Sequence, residues 1–252
     1  MSTSSHVESQ QSGVATLGGN PVVVIGGGLA GSEAALQLAD RGIAVRLYEM
    51  RPQVQTAVHK TDHFGELVCS NSLKSTKPES AAGMLKSELA ALHSHLYDFA
   101  NTYAVPAGGA LAVDREAFGR AITHAIEASP LIEVVREEVT DLASVARGAA
   151  AVIVASGPLT SDALAQDLLT LTGEDYLAFY DAAAPIVMAD SLDFDKLFMQ
   201  SRYEDATDSS PGDYVNAAFT REEYDEFITE LVEAERVIAK SFETKELFSA
   251  CQ

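Results

Sequence analysis

Ordered hydrophobic patterning begins at Pro21. Val22-Val23-Val24-Ile25 is an unbroken β-branched run, the pattern of a strand buried on both faces of a parallel sheet. Gly26-Gly27-Gly28-Leu29-Ala30-Gly31 follows directly. Ser32 to Arg41 then carries Ala34, Ala35 and Leu38 on one face, with Gly42 placed to end a helix. Ile43 to Tyr48 is a second apolar strand. Strand, glycine turn, helix and strand within about thirty residues make a βαβ unit.

The next stretch, Arg51 to Lys77, shows no period. Loops of that length in compact domains are uncommon and usually functional. A helix is predicted from about Glu79 to Ala100, with Leu85, Leu89, Leu92, Leu96 and Phe99 forming a stripe read as core packing. Leu111 to Val113 reads as a short strand. Asp114 then caps a helix marked by Ala117, Phe118, Ala121, Ile122, Ala125 and Ile126. Ile132 to Val135 and Val152 to Ala155 are further strands. After Thr172-Gly173 the texture becomes more acidic and aromatic, with a strand-like piece at Ala184 to Met188. Thr220-Arg221-Glu222-Glu223 has the form of a capping box opening a helix to about Ile238. Three parts are expected: a disordered leader over 1–20, an α/β nucleotide-binding domain over 21–173, and an acidic α+β domain over 174–252. No internal repeat is visible.

Composition narrows this picture. The 252 residues are 47% hydrophobic and 21% charged, enough to bury a full core and unlike a disordered chain. No apolar run approaches the ~20 residues that span a bilayer. The leader has no Lys or Arg and so lacks the cationic start of a secretory signal, and two cysteines suit a reducing compartment. A cytoplasmic location is therefore expected, with no membrane partner. Net charge is −20, which repels phosphate at long range. The acid is uneven, however. Arg41 to Lys86 holds seven basic and four acidic residues, a local +3, whereas Glu174 to Glu246 holds six basic and nineteen acidic, a local −13. A polyanion should prefer the first region; surplus solubilising acid is the plainer reading of the total.

Gly26-x-Gly28-x-x-Gly31 carries the clearest chemistry, because it follows a strand and opens a helix. Gly26 permits the tight turn, Gly28 lets backbone approach a pyrophosphate, and Gly31 lets helix and strand pack closely. The helix N-terminus adds amides and partial positive charge. Glu49 lies eighteen residues past Gly31, at the end of the second strand, where a carboxylate accepts hydrogen bonds from ribose hydroxyls. Val152 to Pro158 is a strand ending in small residues. By analogy with flavoproteins that have two dinucleotide folds, it favours FAD over NAD. Cys69 lies in Glu66-Leu67-Val68-Cys69-Ser70-Asn71-Ser72 with Lys60 and Lys74 nearby, and Cys251 is penultimate. Positive neighbours raise a thiol's thiolate fraction, although a lone cysteine is more often a small buried hydrophobe. His59, His63, His93 and His95 lack the spacing of a zinc site; no metal is expected.

The same residues resemble a known family. Val24 to Ala35 and Leu47-Tyr48-Glu49-Met50-Arg51-Pro52 are similar to the start of the folate- and FAD-dependent tRNA uracil-5-methyltransferases, the TrmFO family. So are Glu66 to Leu73, Val105 to Arg115, Gly157 to Ser161, Thr172 to Tyr176, Phe179 to Ala182 and Pro185 to Val187. The resemblance implies a FAD-binding Rossmann-like domain of the two-dinucleotide type, followed by the start of an α+β insertion domain. It also implies cofactor contacts at Gly26, Gly27, Gly28, Leu29, Ala30, Gly31, Glu49, Met50 and Arg51. The implied reaction moves a methylene from methylenetetrahydrofolate to C5 of a T-loop uridine in tRNA. Reduced FAD supplies reducing equivalents and NADH or NADPH regenerates it. Uracil C5 is a poor nucleophile until a thiolate adds to C6. Cys69 and Cys251 fall on the family's two cysteine positions, which implies Cys251 as the uracil nucleophile and Cys69 as its flavin-side partner.

The chain departs from the family at its end. Ala250-Cys251-Gln252 replaces the usual Gly before the cysteine and Met-Pro after it, and family members are much longer, so an N-terminal fragment lacking the C-terminal half is expected. Ser156 and Gly65 stand where Thr and Ala are usual. Two alternatives stay beside the methyltransferase: a FAD-dependent oxidoreductase acting on a small molecule, and an inactive nucleotide-binding remnant. Glu66 and Asp62 are candidate acid–base groups, with solvated surface carboxylates as the plainer reading. Lys60, Lys74, Lys77 and Lys86 are candidate RNA-backbone contacts beside the default of solvated lysines.

Overall fold

The β-branched run and its partners form a four-stranded parallel sheet. In the computed structural model, which describes residues 19–56, 58–68, 70–173, 187–201 and 212–235, β1 (Val22–Ile25), β2 (Val45–Tyr48), β6 (Ile132–Val135) and β7 (Ala151–Val154) lie in the order β6-β2-β1-β7. Val22 pairs with Val45 on one side and Ala151 on the other, and Ile25 with Tyr48 and Val154. The two faces of β1 enter different cores. Val22 and Val24 pack with Ala35, Leu47, Phe118, Ile122 and Ile126, whereas Val23 and Ile25 pack with Val139, Leu142 and Leu164. A strand covered on both sides has no polar face, so its apolar run is continuous.

The first core is closed by α1 (Leu29–Asp40), α3 (His95–Thr102) and α4 (Arg115–Ala128), and the second by α5 (Leu142–Ala146) and α6 (Asp162–Thr172). α1 begins at Leu29, three residues earlier than the apolar pattern suggests, and buries Gly31, Ser32, Ala35 and Leu36. Asp114 caps α4 as expected, accepting from the amides of Glu116 and Ala117 at 3.0 Å each. Gly173 ends α6 in the left-handed region at φ 72°.

The single helix expected over 79–100 is two. α2 (Ala81–Ala91) stops at Leu92, His93 turns back with φ 54°, and α3 starts after Ser94. The cause is a cap from another helix: the Glu33 carboxylate on α1 accepts from Ser94 Oγ (3.0 Å) and from the amides of His95 (3.2 Å) and Leu96 (2.9 Å). The leucine stripe is broken with it. Leu96 is core, but Leu85 and Leu92 are 55% and 68% exposed.

The stretch Arg51 to Lys77 also contains β3 (Ser72–Ser75), which joins β4 (Ala104–Val105) and β5 (Ala110–Val113) in an antiparallel sheet ordered β3-β5-β4. Ser-Leu-Lys-Ser has no apolar period. It is drawn into the sheet by Asn71, whose carbonyl accepts from the Val113 amide (3.0 Å) while its side chain donates to Val113 O (3.0 Å). Beyond Gly173, β8 (Leu197–Met199) and β9 (Val215–Ala217) form a hairpin, followed by α7 (Arg221–Glu233). The Thr220–Glu223 capping box is present. α7 ends at Glu233, short of Ile238, because Ala234 leaves helical backbone at ψ 151°. Of the strand-like piece 184–188, only Val187 and Met188 are described, and neither lies in a strand.

Candidate functional site

The parallel sheet places its C-terminal strand ends around a cleft of about 320 Å³. The turn after β1 forms its floor, with Glu49, Met50 and Arg51 beyond β2 along one side. The 137–139 stretch after β6 and the 155–161 stretch after β7 form other walls. Ligands of open α/β sheets bind at this end.

Each glycine of the turn meets a different constraint. Gly26 sits at φ +103°, and a side chain there would press on Ala155 O at 2.6 Å. A Cβ on Gly31 would overlap the Gly26 carbonyl oxygen, so only glycine lets α1 start this close to β1. Gly28 is the exception: nothing lies within 4 Å of where its Cβ would be. Gly28 is also the N-cap of α1 and provides no side-chain cap. The first turn of α1 therefore offers amides and its positive dipole end to the cleft without a side chain to satisfy them.

Gly27 is buried and held from both ends. Its N–H donates to Glu49 Oε2 (2.9 Å), while its carbonyl accepts from Gly65 N–H (2.8 Å) and Ser32 Oγ (3.2 Å). Glu49 Oε1 accepts from the Arg51 amide (3.0 Å) and from Arg51 Nε (2.9 Å). Burial works against ionisation of Glu49. The Arg51 hydrogen bond and charge, with the amides of Arg51 and Gly27, outweigh it and hold the carboxyl below the usual range. Oε1 thus has two donors, whereas Oε2, with the Gly27 amide alone, keeps acceptor capacity.

Arg51 is 1% exposed and bridges two carboxylates, reaching Glu66 Oε2 with Nη1 at 2.9 Å. Glu66 further accepts from the amides of Lys60 (2.8 Å) and Thr61 (3.2 Å) and from the Thr61 hydroxyl (2.9 Å). A carboxylate with four donors is a structural anchor, so Glu66 is not free for acid–base work; Asp62 is exposed. His59 lines the cleft with Nδ1 2.6 Å from Thr56 Oγ1. Burial, then the Arg51 charge, push its pKa below the ordinary value. Across the cleft, Thr160 Oγ1 lies 2.7 Å from the Gly157 carbonyl oxygen, to which it donates, and 2.7 Å from the Ser156 hydroxyl.

Several contributors were not visible in the sequence. The Arg136 guanidinium lies 4.2 Å from the Phe64 ring centroid and donates to the carbonyls of Arg51 (3.1 Å) and Asp62 (2.9 Å). Phe64 and Arg136 carry no motif and no sequence signal pointed to them, and Gly65 stood out only as a departure from the family's usual Ala. Cys69 and Cys251 lie outside the described residues. Val68, the chain neighbour of Cys69, lines the cleft. Lys86 is turned inward, donating to the carbonyls of Leu73, Ser75 and Ala82, which withdraws it from any phosphate. Among the described residues no cluster of three or more His, Cys, Asp or Glu side chains could hold a metal ion, and no helix is long and apolar enough to cross a membrane.

A glycine turn between the first strand of a parallel sheet and a helix without a side-chain cap, with a carboxylate at the end of the next strand, defines a Rossmann-like dinucleotide-binding domain. The chain belongs to the glucose inhibited division protein A family, whose model matches residues 21–252. It is 52% identical over 230 residues to the methylenetetrahydrofolate–tRNA-(uracil-5-)-methyltransferase TrmFO of Bacillus subtilis, covering 91% of this chain and 51% of that protein. With the protein of the same name from Brevibacillus brevis it shares 50% identity over the same shares of each chain. The chain thus spans about half the length of the curated relatives it matches. Among solved structures, GidA of Aquifex aeolicus aligns with 22% identity and a TM-score of 0.39, over 48% of this chain and 20% of that one.

Proposed function

We propose that this chain forms the FAD-binding part of a methylenetetrahydrofolate-dependent tRNA uracil-5-methyltransferase. The observation that carries the reading is the cleft: a bare glycine turn facing open space, braced by a buried carboxylate, in a chain half-identical to proteins of that name. The residues fit the cofactor. Amides of the Gly28 to Gly31 turn would take the pyrophosphate, Glu49 the adenosine ribose, and Met50 and Arg51 the wall beside it. Gly28 leaves room where a side chain would block a phosphate. Bound there, reduced FAD supplies reducing equivalents for a methylene taken from methylenetetrahydrofolate, and NADH or NADPH restores it.

The chain's own thiols do the remaining chemistry in this reading. Cys251 adds to C6 of the uridine, raising electron density at C5, and Cys69 works from the flavin side. The T-arm of tRNA meets the basic stretch 41–86, with Lys60 and Lys74 toward the phosphates, and avoids the acidic 174–252 part, taken as a separate α+β domain. The names of the relatives support this reading over a small-molecule oxidoreductase.

The test is a chimera in which this chain replaces the matching half of the Bacillus subtilis relative. With labelled methylenetetrahydrofolate and a T-arm RNA, label should appear at C5 of the T-loop uridine. Cys251→Ala should abolish both transfer and covalent adducts with fluorouracil-containing RNA. A chimera that binds FAD normally yet transfers no label would contradict the proposal.

A further inference from the structure

Two ties fasten the irregular segment 58–68 to the glycine turn. The first is direct: Gly65 N–H donates to the Gly27 carbonyl at 2.8 Å, and the Phe64 ring lies so close that a Cβ on Gly27 would meet its Cε1 at 2.6 Å. The second runs through side chains. Glu49 holds the Gly27 amide (2.9 Å), Arg51 Nε holds Glu49 (2.9 Å), and Arg51 Nη1 holds Glu66 (2.9 Å). Glu66 in turn gathers the backbone of Lys60 and Thr61. The shared guanidinium has a side-chain exposure of 2%, and the two carboxylates 7% and 14%. A buried ion triad of this kind resists losing any one member, because the others would be left uncompensated.

We propose that Glu66 is a positioning residue which, through Arg51 and Glu49, couples dinucleotide occupancy of the glycine turn to the order of segment 58–68. The coupling rests on the dinucleotide reading of the cleft given above. Phosphate oxygens against the turn amides fix the two peptide planes that flank Gly27, one carrying its N–H for Glu49 and the other its carbonyl for Gly65. The triad transmits that alignment to the amides that Glu66 holds. By linkage, the factor by which ligand stabilises the segment is the factor by which an ordered segment tightens ligand. The segment ends at Val68, on the cleft wall and one residue before Cys69. Cofactor binding therefore sets the approach of the chain that carries the first thiol.

Hydrogen exchange on the full chain, with and without saturating FAD, reads the coupling without turnover. In wild type, and in the surface control Arg120→Ala, FAD should slow exchange at both 26–31 and 58–68. In Glu66→Gln, FAD should still protect 26–31 and the Gly65 amide that Gly27 holds directly. Its effect on the Lys60 and Thr61 amides should vanish, and its Kd should rise about tenfold. A merely structural role would speed exchange at 58–68 equally with and without FAD, and that result overturns the coupling. So does wild-type protection confined to 26–31. Protection of neither region would instead overturn the dinucleotide reading, and the coupling with it. If Glu66→Gln does not fold, Thr61→Val, which removes one donor to Glu66, is read the same way with a smaller loss expected.

Discussion

Residue by residue, the glycine turn separates what folds the chain from what binds its ligand. Gly27→Ala would drive a methyl into Phe64 and within 2.8 Å of Glu49 Oε2, costing about 1–3 kcal/mol of stability by overpacking. Gly28→Ala adds its methyl in open space at an ordinary φ of −72°. Its thermal midpoint should stay near wild type while FAD affinity falls about tenfold or more, as flavin fluorescence titration would register. Equal losses of stability in the two variants would contradict that division. Glu49 adds a pH signature. Its carboxyl is held low in the fold, so the stability it contributes is complete above its unfolded value, ~4.3, and is lost as pH falls below that. Glu49→Gln should be less stable at pH 7 and lose less on acidification, which melting curves from pH 7 downward would reveal. The turn and Glu49 were legible because their constraints are local: a strand, three glycines and a carboxylate at fixed spacing. Arg51 was legible only as a cofactor neighbour, not as the bridge between Glu49 and Glu66, because Glu66 comes from irregular backbone that has no period to read.

For the elements, periodicity found the four strands of the parallel sheet with α1 and α4, left α5 and α6 unread, and misjudged those whose limits are set by distant groups. The break between α2 and α3 is invisible in 79–100 taken alone, since the capping carboxylate is Glu33 on α1. Three donors from the start of α3 converge on that group, so Glu33→Ala should cost about 1–2 kcal/mol, in the range of a lost helix cap. The loss should concentrate in α3, where hydrogen exchange at His95 and Leu96 would rise before that of α4. An unchanged melting midpoint would mean that Ser94 alone suffices to start α3. β3 was missed for a similar reason: its place is fixed by Asn71 pairing with Val113, not by apolar alternation.

At the scale of the whole molecule, fold class was legible because an unbroken apolar strand followed by a glycine turn, a helix and a second apolar strand is the pattern of a parallel sheet with helices on both faces. The charge map was legible only as a sum. Within the basic stretch 41–86, Arg51 and Lys86 spend their charge internally, which a count cannot distinguish from a surface patch. Arg136, outside that stretch, braces the same cleft from the end of β6. All of these features converge on one cleft, and its ligand decides the account. Competition binding tests it most directly: FAD bound to the full chain, displaced by ADP or by FMN. Because the glycine turn and Glu49 would hold the pyrophosphate and the adenosine ribose, ADP should displace FAD in wild type, FMN should not, and Gly28→Ala should weaken FAD and ADP alike. Displacement by FMN with indifference to ADP, or no FAD binding at all, would contradict the account.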